Sequence, residues 1–385
     1  MTTIATGLAP ADLAAVITAG LASLPGRPLS PILGAAVIEI DPSENVIEVT
    51  TYDYDRSTAA TLDLALGDNA AITISARLAV SGRLLGTVAK ALPKRATIDL
   101  ELTDSALRVK AGATVFTLPL MDVDDFPSMP AMPEVGVGRT TGETLVDVVG
   151  RVAKVTEKQG DAENVAQHIE LRGEADGIRV TAVDRHIIAR SRIDWEHGAD
   201  FDARLVAGDL LAILRPLATA ESIEIHADHN LVMLTGQAAD NLTIAASASL
   251  VDAQMPDLTR LLLIETDRTI TLDEQFAEAL GRSVKMVDKV GVLRMVGAGV
   301  DDSSGTTSID LLLDDGALLD RVEHQAAEGD PIQWACNPKM LRTALDIVGL
   351  PAAAHWTGDP LKPVTLFSDD GDTQVVFMGV RVAWT

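Results

Sequence analysis

One pattern is written three times along this chain, and that repetition limits the fold more than any other feature. Each copy opens with a helix carrying a Leu-Leu or Met-Leu pair, passes a turn and continues as short alternating strands. The first starts at Ser81 with SGRLLGTVAKALPKR, followed by ATIDLEL, ALRVKAG and TVFTLPLM. The second starts at Ala207 with AGDLLAILRPLAT, followed by SIEIHAD, LVMLTG and LTIAASAS. The third starts at Asn337 with NPKMLRTALDIVG, followed by PVTLFSD and TQVVFMGVRV. The starts lie 126 and 130 residues apart, close to one third of the 385 residues. A chain of this length exceeds what one hydrophobic core usually serves. Three similar domains are therefore predicted, at 1–131, 132–262 and 263–385, each α+β with two helices packed on antiparallel sheet.

Each third also holds an earlier helix, at 10–22, 143–158 and 272–289. Thr271 with Glu274 reads as a capping box for the last of these, and Asn337 as the N-cap of a helix with Pro338 in its first position. Proline-rich 124–136 and the stretch 255–267 read as linkers. Residues 8–24 are apolar, but no Lys or Arg precedes Arg27, and Pro10 and Asp12 interrupt the run. A signal peptide needs a basic segment first, so a helix is the reading there. No stretch reaches the roughly 18 apolar residues of a membrane span. The single cysteine, Cys336, makes no intrachain disulfide, and a reducing cytoplasm is expected.

Apolar residues make up 47% of the chain with only 12 aromatics, so Ala, Val, Leu and Ile build the cores. The net charge of −25 argues on average against a nucleic-acid partner. Its distribution argues otherwise. The six predicted helices (10–22, 81–95, 143–158, 207–219, 272–289, 338–349) carry a net +3 and the rest of the chain −28. Arg151, Lys154 and Lys158 stand at i, i+3 and i+7, one helical face, and Arg282, Lys285 and Lys289 repeat the spacing 131 residues later. Arg83, Lys90 and Lys94 share a face opposite Leu84, Leu85, Val88 and Leu92. Any one such helix reads as a solvated amphipathic helix. Recurrence at the domain period instead points to one basic surface that meets phosphates without reading sequence.

Catalytic patterns are weak. GVGRTTG at 136–142 has the spacing GxGxxxG after a proline-rich stretch, so a flexible linker is expected there in place of a dinucleotide site. His226 and His229 form an HxxH pair without a nearby cysteine and read as a surface turn, not a metal site. The Asp pairs at 124–125, 301–302, 314–315 and 369–370 read as solvated turns. No cofactor or metal is expected, and no enzyme activity.

GRPLSPILG (26–34), VSGRLLGTVAKALP (80–93), FTLPLMDVDDFPSMP (116–130), TAVDRHIIA (181–189), MPDLTRLL (255–262), NPKML (337–341) and VVFMGVRV (375–382) follow one another in an order that resembles the bacterial sliding clamps, the beta subunits of DNA polymerase III. The resemblance spans all three thirds. It implies a head-to-tail homodimer whose six domains form a ring, with helices lining the hole. It also implies a non-catalytic role, that of holding the polymerase on duplex DNA while sliding. DNA contacts are expected from Arg27, which matches a family arginine, and from Arg83, Lys90, Arg151, Lys154, Arg282 and Lys285. The family's groove for short peptides of polymerase, clamp loader and repair proteins falls on Ala166, Val183, Arg185, Ile188, Pro256, Leu261, Val376, Met378 and Val380, with Asn337 and Met340 at its rim. Apolar residues suit such a groove, which needs anchoring pockets. Each of them, taken alone, equally suits a sheet core. Ile187 stands where many members have Arg, Gly379 replaces a usual Pro, Ala166 is small where Leu is common, and 382–385 run past the usual end. These departures fit a divergent paralogue or phage-encoded form, and the alternative expectation is a paralogous ring scaffold with altered partners.

Overall fold

A computed structural model describes residues 1–64, 70–156, 165–253, 255–287, 291–297, 306–328, 333–357, 359 and 362–382. Two compact units result. One comprises Met1–Asp147, Arg172–Gly177 and Asp194–Val251, and the other Val148–Leu171, Ile178–Ile193 and Asp252–Thr385. The middle third of the sequence thus contributes to both. Seven α-helices are described: α1 Pro10–Gly20, α2 Gly82–Ala91, α3 Gly142–Val152, α4 Ala207–Leu214, α5 Thr259–Leu262, α6 Glu274–Met286 and α7 Pro338–Val348. The remainder is antiparallel sheet and turns, so the α+β class holds.

The helices form where apolar spacing and capping agree. In α2 the Ser81 hydroxyl accepts from the Leu84 N–H, Leu85, Val88 and Ala89 are buried, and Arg83 and Lys90 stay outside. The helix ends at Ala91 because Leu92 precedes Pro93, and the proline ring holds Leu92 in the extended region. Helix α7 has the expected N-terminus: Asn337 Oδ1 accepts from the Lys339 N–H at 2.9 Å and Pro338 follows. It buries Leu341, Ala344, Leu345, Ile347 and Val348 and stops at Gly349, whose φ of +80° only glycine adopts easily.

In the first unit one antiparallel ladder runs through the strands Ile223–Ala227, Leu231–Ala239, Leu242–Ser249, Arg56–Asp63, Val46–Tyr52, Ala35–Asp41 and Ala76–Ser81, in that order. Helices α1 and α4 pack on its 46–63 and 242–249 strands. In the second unit Gly177–Asp184, Ile187–Ile193, Thr373–Phe377, Val364–Ser368, Ala352–Trp356 and Arg268–Leu272 form a second ladder, on which α6 and α7 pack. The two ladders repeat one join. Ser57 lies opposite Ser247 in the first, and Ile187 opposite Phe377 in the second. The displacement is identical for both partners, since 187 minus 57 and 377 minus 247 are both 130. Buried hydroxyl pairs sit on both joins, Ser57 with Ser247 at 2.6 Å and Ser191 with Thr373 at 2.8 Å. Each satisfies two polar groups that burial would otherwise leave unpaired.

Several sequence expectations need correction. The capping box at Thr271 does not form: Thr271 belongs to the strand Arg268–Leu272, and Asp273 caps α6 by accepting from the Phe276 N–H at 3.0 Å. The expected linker at 136–142 is the strand Gly136–Thr140 followed by the start of α3. Its glycines answer to close neighbours. A Cβ on Gly138 would lie 2.5 Å from the Glu196 carbonyl oxygen, and one on Gly142 2.1 Å from that of Leu217. Thr2–Leu8, unassigned from sequence, is a strand paired with Ile98–Leu102. The stretch 255–267 contains α5, and the last strand stops at Phe377. Helix α4 ends at Leu214, two residues before Pro216, which lacks a backbone donor. Leu84 points outward at 49% exposure, and Lys94 lies past the end of α2. Lys158, Lys289 and the Asp301–Asp302 pair lie outside the described residues.

The corrected cap is directly measurable. Asp273→Ala should lower stability by about 1 kcal/mol in chemical denaturation, because one N-terminal N–H of α6 loses its partner. Glu274→Ala, the acid of the expected box, should cost less than half of that.

Candidate peptide groove and basic surface

The richest cleft of the second unit forms where the hairpin 177–193 meets the strand Thr373–Phe377 and the segment 255–262 crosses over it. Beneath the cleft, Ile188 and Val376 are 5% and 2% exposed and pack with Leu258 and Leu262, while Val183 and Met255 lean on this cluster. The strand pairing sets the floor: Ile188 faces Val376, and Ile187 faces Phe377. One residue further, the Met378 N–H donates to the His186 carbonyl at 3.0 Å, which holds Met378 at the rim with its side chain partly exposed.

The cleft has two compartments. One, of 270 Å³, is lined by Val183 to Ile188, Pro256, Asp257, Leu258, Leu261, Pro363, Val376, Phe377 and Met378. The other, of 570 Å³, is lined by Val165, Ala166, Val183, Asp184, Arg185, Met255, Pro256 and Asp257. They share Val183, Asp184, Arg185, Pro256 and Asp257. The floor is apolar and the shared edge is charged, with two carboxylates against one guanidinium. Asp257 is held below the usual carboxylate range because the Thr259 hydroxyl and N–H both donate to it. Such a site offers apolar anchoring with polar orientation at its margin.

Eight of the eleven residues assigned to the groove line these compartments: Ala166, Val183, Arg185, Ile188, Pro256, Leu261, Val376 and Met378. The other three are placed differently. Asn337 caps α7, Met340 is half-buried on that helix, and the Val380 N–H donates to the Ala335 carbonyl at 2.7 Å. Sequence reasoning did not assign Val165, Met255, Asp257, Leu258, Pro363 or Phe377. Leu258 was within reach, since it sits inside the MPDLTRLL stretch between two assigned positions.

The first unit carries the corresponding corner in a different state. There the turn between Val46–Tyr52 and Arg56–Asp63 is occupied by Tyr52, which packs against Ala35, Val37, Ala79 and Phe126, and by Arg56, bonded to Asp209 at 2.6 Å. Burial raises the pKa values of Asp53 and Asp209 beyond what the Arg56 charge pulls down. Aromatic and charged side chains stand where the second unit has small apolar ones.

The basic residues fall into three groups. Arg27 is exposed on the loop after α1, and Arg83 on α2 donates to the Gly26 carbonyl at 3.3 Å, so these two lie together with Lys90 exposed further along α2. Arg151 and Lys154 lie at the end of α3 and in the 3₁₀ turn after it. They donate to the Ile347 and Asp346 carbonyls at 2.9 and 2.8 Å. These are terminal carbonyls of α7, a helix with no base of its own in its last turn, so the two cations complement its dipole. Arg282 on α6 is paired with Asp320, its Nη2 2.7 Å from the carboxylate, and Lys285 is exposed one turn on.

Other candidates carry less. His226 lies in the strand Ile223–Ala227, half-buried against Gly136, and only His229 occupies a surface turn. Among the described residues no group of three or more His, Cys, Asp or Glu is placed to hold a metal, and no helix is long and apolar enough to cross a membrane. Cys336 is fully buried, which pushes its thiol pKa far up and leaves it unreactive.

Comparison with known proteins agrees with this geometry. Residues 9–130 match the family model of the DNA polymerase III beta subunit, N-terminal domain. The beta sliding clamp of Streptomyces coelicolor is 25% identical over 365 residues, covering 92% of this chain and 91% of the relative. The beta sliding clamp homolog GriR of Streptomyces muensis is 24% identical over 332 residues, covering 83% and 82%. Among solved structures, the DNA polymerase sliding clamp of Bacillus subtilis superposes with a TM-score of 0.85 over 100% of both chains at 17% identity, a likeness of fold. Domain match, relatives along nearly the whole length and shared fold together identify the chain as a bacterial sliding clamp of divergent sequence.

Proposed function

We propose that this chain is a processivity factor without catalytic activity of its own. Two copies close head to tail into a ring of six domains, 1–131, 132–262 and 263–385 in each, the ring encloses duplex DNA in the cytoplasm, and the cleft of the second unit holds short apolar peptides of polymerase, clamp loader and repair proteins. The observation that carries this reading is the cleft itself, where residues from four separated stretches of sequence converge on one apolar floor.

Two unpaired sheet edges support the ring. The join that places 242–249 beside 56–63, and 373–377 beside 187–193, recurs every 130 residues. The same period next selects the strands Thr114–Met121 and Leu318–Glu328. Among the described residues, the first has no partner on its outer side before Leu120, and the second none on the corresponding side before Ala327. An unpaired edge is a template for another chain, and head-to-tail pairing of these two closes a twofold ring. Exposed Arg27, Arg83, Lys90, Arg282 and Lys285 supply phosphate contacts, with Arg151 and Lys154 contributing through the charge they hold beside α7. A second reading keeps the ring and alters the partners. It is favoured by Ile187 and Ala166 in the lining of the cleft and by Gly379 next to Met378.

Topology and contact strength give different salt responses. Phosphate contacts weaken steeply with salt, yet a closed ring leaves a circular duplex only by opening. After loader-assisted loading, protein should stay on nicked circles at high salt and be lost once the circle is linearised; equal loss from both forms would contradict encirclement. The cleft is tested by Met378→Asp, which sets a charge beside an apolar floor. Affinity for a clamp-binding peptide of the cognate polymerase should fall by at least about 2 kcal/mol, roughly thirtyfold, in fluorescence anisotropy. Unchanged affinity would place the peptide elsewhere.

A further inference from the structure

The two compartments of the cleft differ in size, and one residue stands out in the larger. Ala166 is 6% exposed, in a wall made with Val165, Val183, Met255 and Pro256. A wall residue with a single methyl group leaves room that a branched side chain would fill, and this compartment holds 570 Å³ against 270 Å³ for its neighbour. The smaller compartment is closed by larger groups, Ile187, Ile188, Leu258, Leu261, Phe377 and Met378.

From this we infer that Ala166 sets the specificity of the cleft: the occupant is a partner peptide that seats a bulky aromatic side chain against Ala166 and Met255 and a smaller aliphatic one in the neighbouring compartment. The inference rests on the peptide-binding reading of the cleft. Three physical points select an aromatic. A deep apolar wall gains most from the side chain with the largest apolar area, and an aromatic ring delivers that area with few rotatable bonds to immobilise. The Met255 thioether lines the same compartment, and sulfur against a ring edge is a favourable contact. A Leu or Val in this place would leave part of the wall without contacts, which forfeits dispersion energy. The charged edge formed by Asp184, Arg185 and Asp257 lies between the two anchors, so the residues linking them must be polar.

The test is selection of random dodecapeptides displayed on phage against the full-length chain, its Ala166→Leu and Ala166→Val variants, and Met378→Asp. Folding of each variant is checked by its unfolding transition. Peptides selected by the unmodified chain should carry Phe, Trp or Tyr at one fixed spacing from an aliphatic residue. Ala166→Leu should lose that aromatic preference and retain the aliphatic one, with at least a tenfold drop in anisotropy-measured affinity for the best aromatic peptide and little change for its Leu-substituted counterpart. Ala166→Val, the milder filling, should fall between and serves if the Leu variant unfolds. Met378→Asp should reduce recovery of both peptide kinds. An unchanged consensus in both Ala166 variants would overturn the inference while leaving peptide binding intact. Failure of the unmodified chain to enrich any peptide would overturn the peptide-binding reading, and the inference with it.

Discussion

The backbone ladder across the joins is the interaction on which the rest of the structure depends. Strand 242–249 continues the sheet of 56–63, and strand 373–377 that of 187–193, with the two strands paired residue by residue along each shared edge. Register in such a sheet is fixed because a slip by one residue turns every side chain to the opposite face. The identical displacement of both partners means that the same side-chain faces meet at each join, and buried hydroxyl pairs lock it further. Helix packing follows from this. Helices α1 and α4 cover one continued sheet, and α6 and α7 cover the other.

A join of this kind also creates a corner, where a hairpin turn, a continuing strand and an incoming segment meet. What fills the corner decides whether it can bind anything. In the first unit Tyr52 and the Arg56–Asp209 pair occupy it, while in the second Val183, Ile188 and Val376 leave an apolar floor open to solvent. The difference comes from side-chain volume and charge on one repeated backbone. It accounts for a groove in one unit without any difference in architecture, and the compartment walled by Ala166 extends the same logic within the groove.

Much of this was legible in the sequence because its physical causes are local or periodic. The repeat gave the three-part organisation, Asn337-Pro338 the start of α7 and Ser81 the start of α2. Other features depend on partners far away in sequence. Gly136 to Thr140 reads as a linker because glycines weaken strands, yet Gly138 is required by the approach of Trp195 and Glu196. Thr271 and Asp273 are both good caps two residues apart, and only the pairing of Thr271 into a strand decides between them. The spacing of Arg151 and Lys154 showed a shared helical face, but not that the face meets the carbonyl end of α7. In the groove, the apolar positions were assigned by resemblance, whereas the two-compartment shape and the charged edge arise from folding 165–166, 183–188 and 255–261 against one another.

The ring is the central claim, and it needs the exposed edges 114–121 and 318–328 to pair between copies. Light scattering coupled to size exclusion measures this most directly. At micromolar concentration the account predicts a single species of twice 40.6 kDa. A species of 40.6 kDa under the same conditions would contradict it.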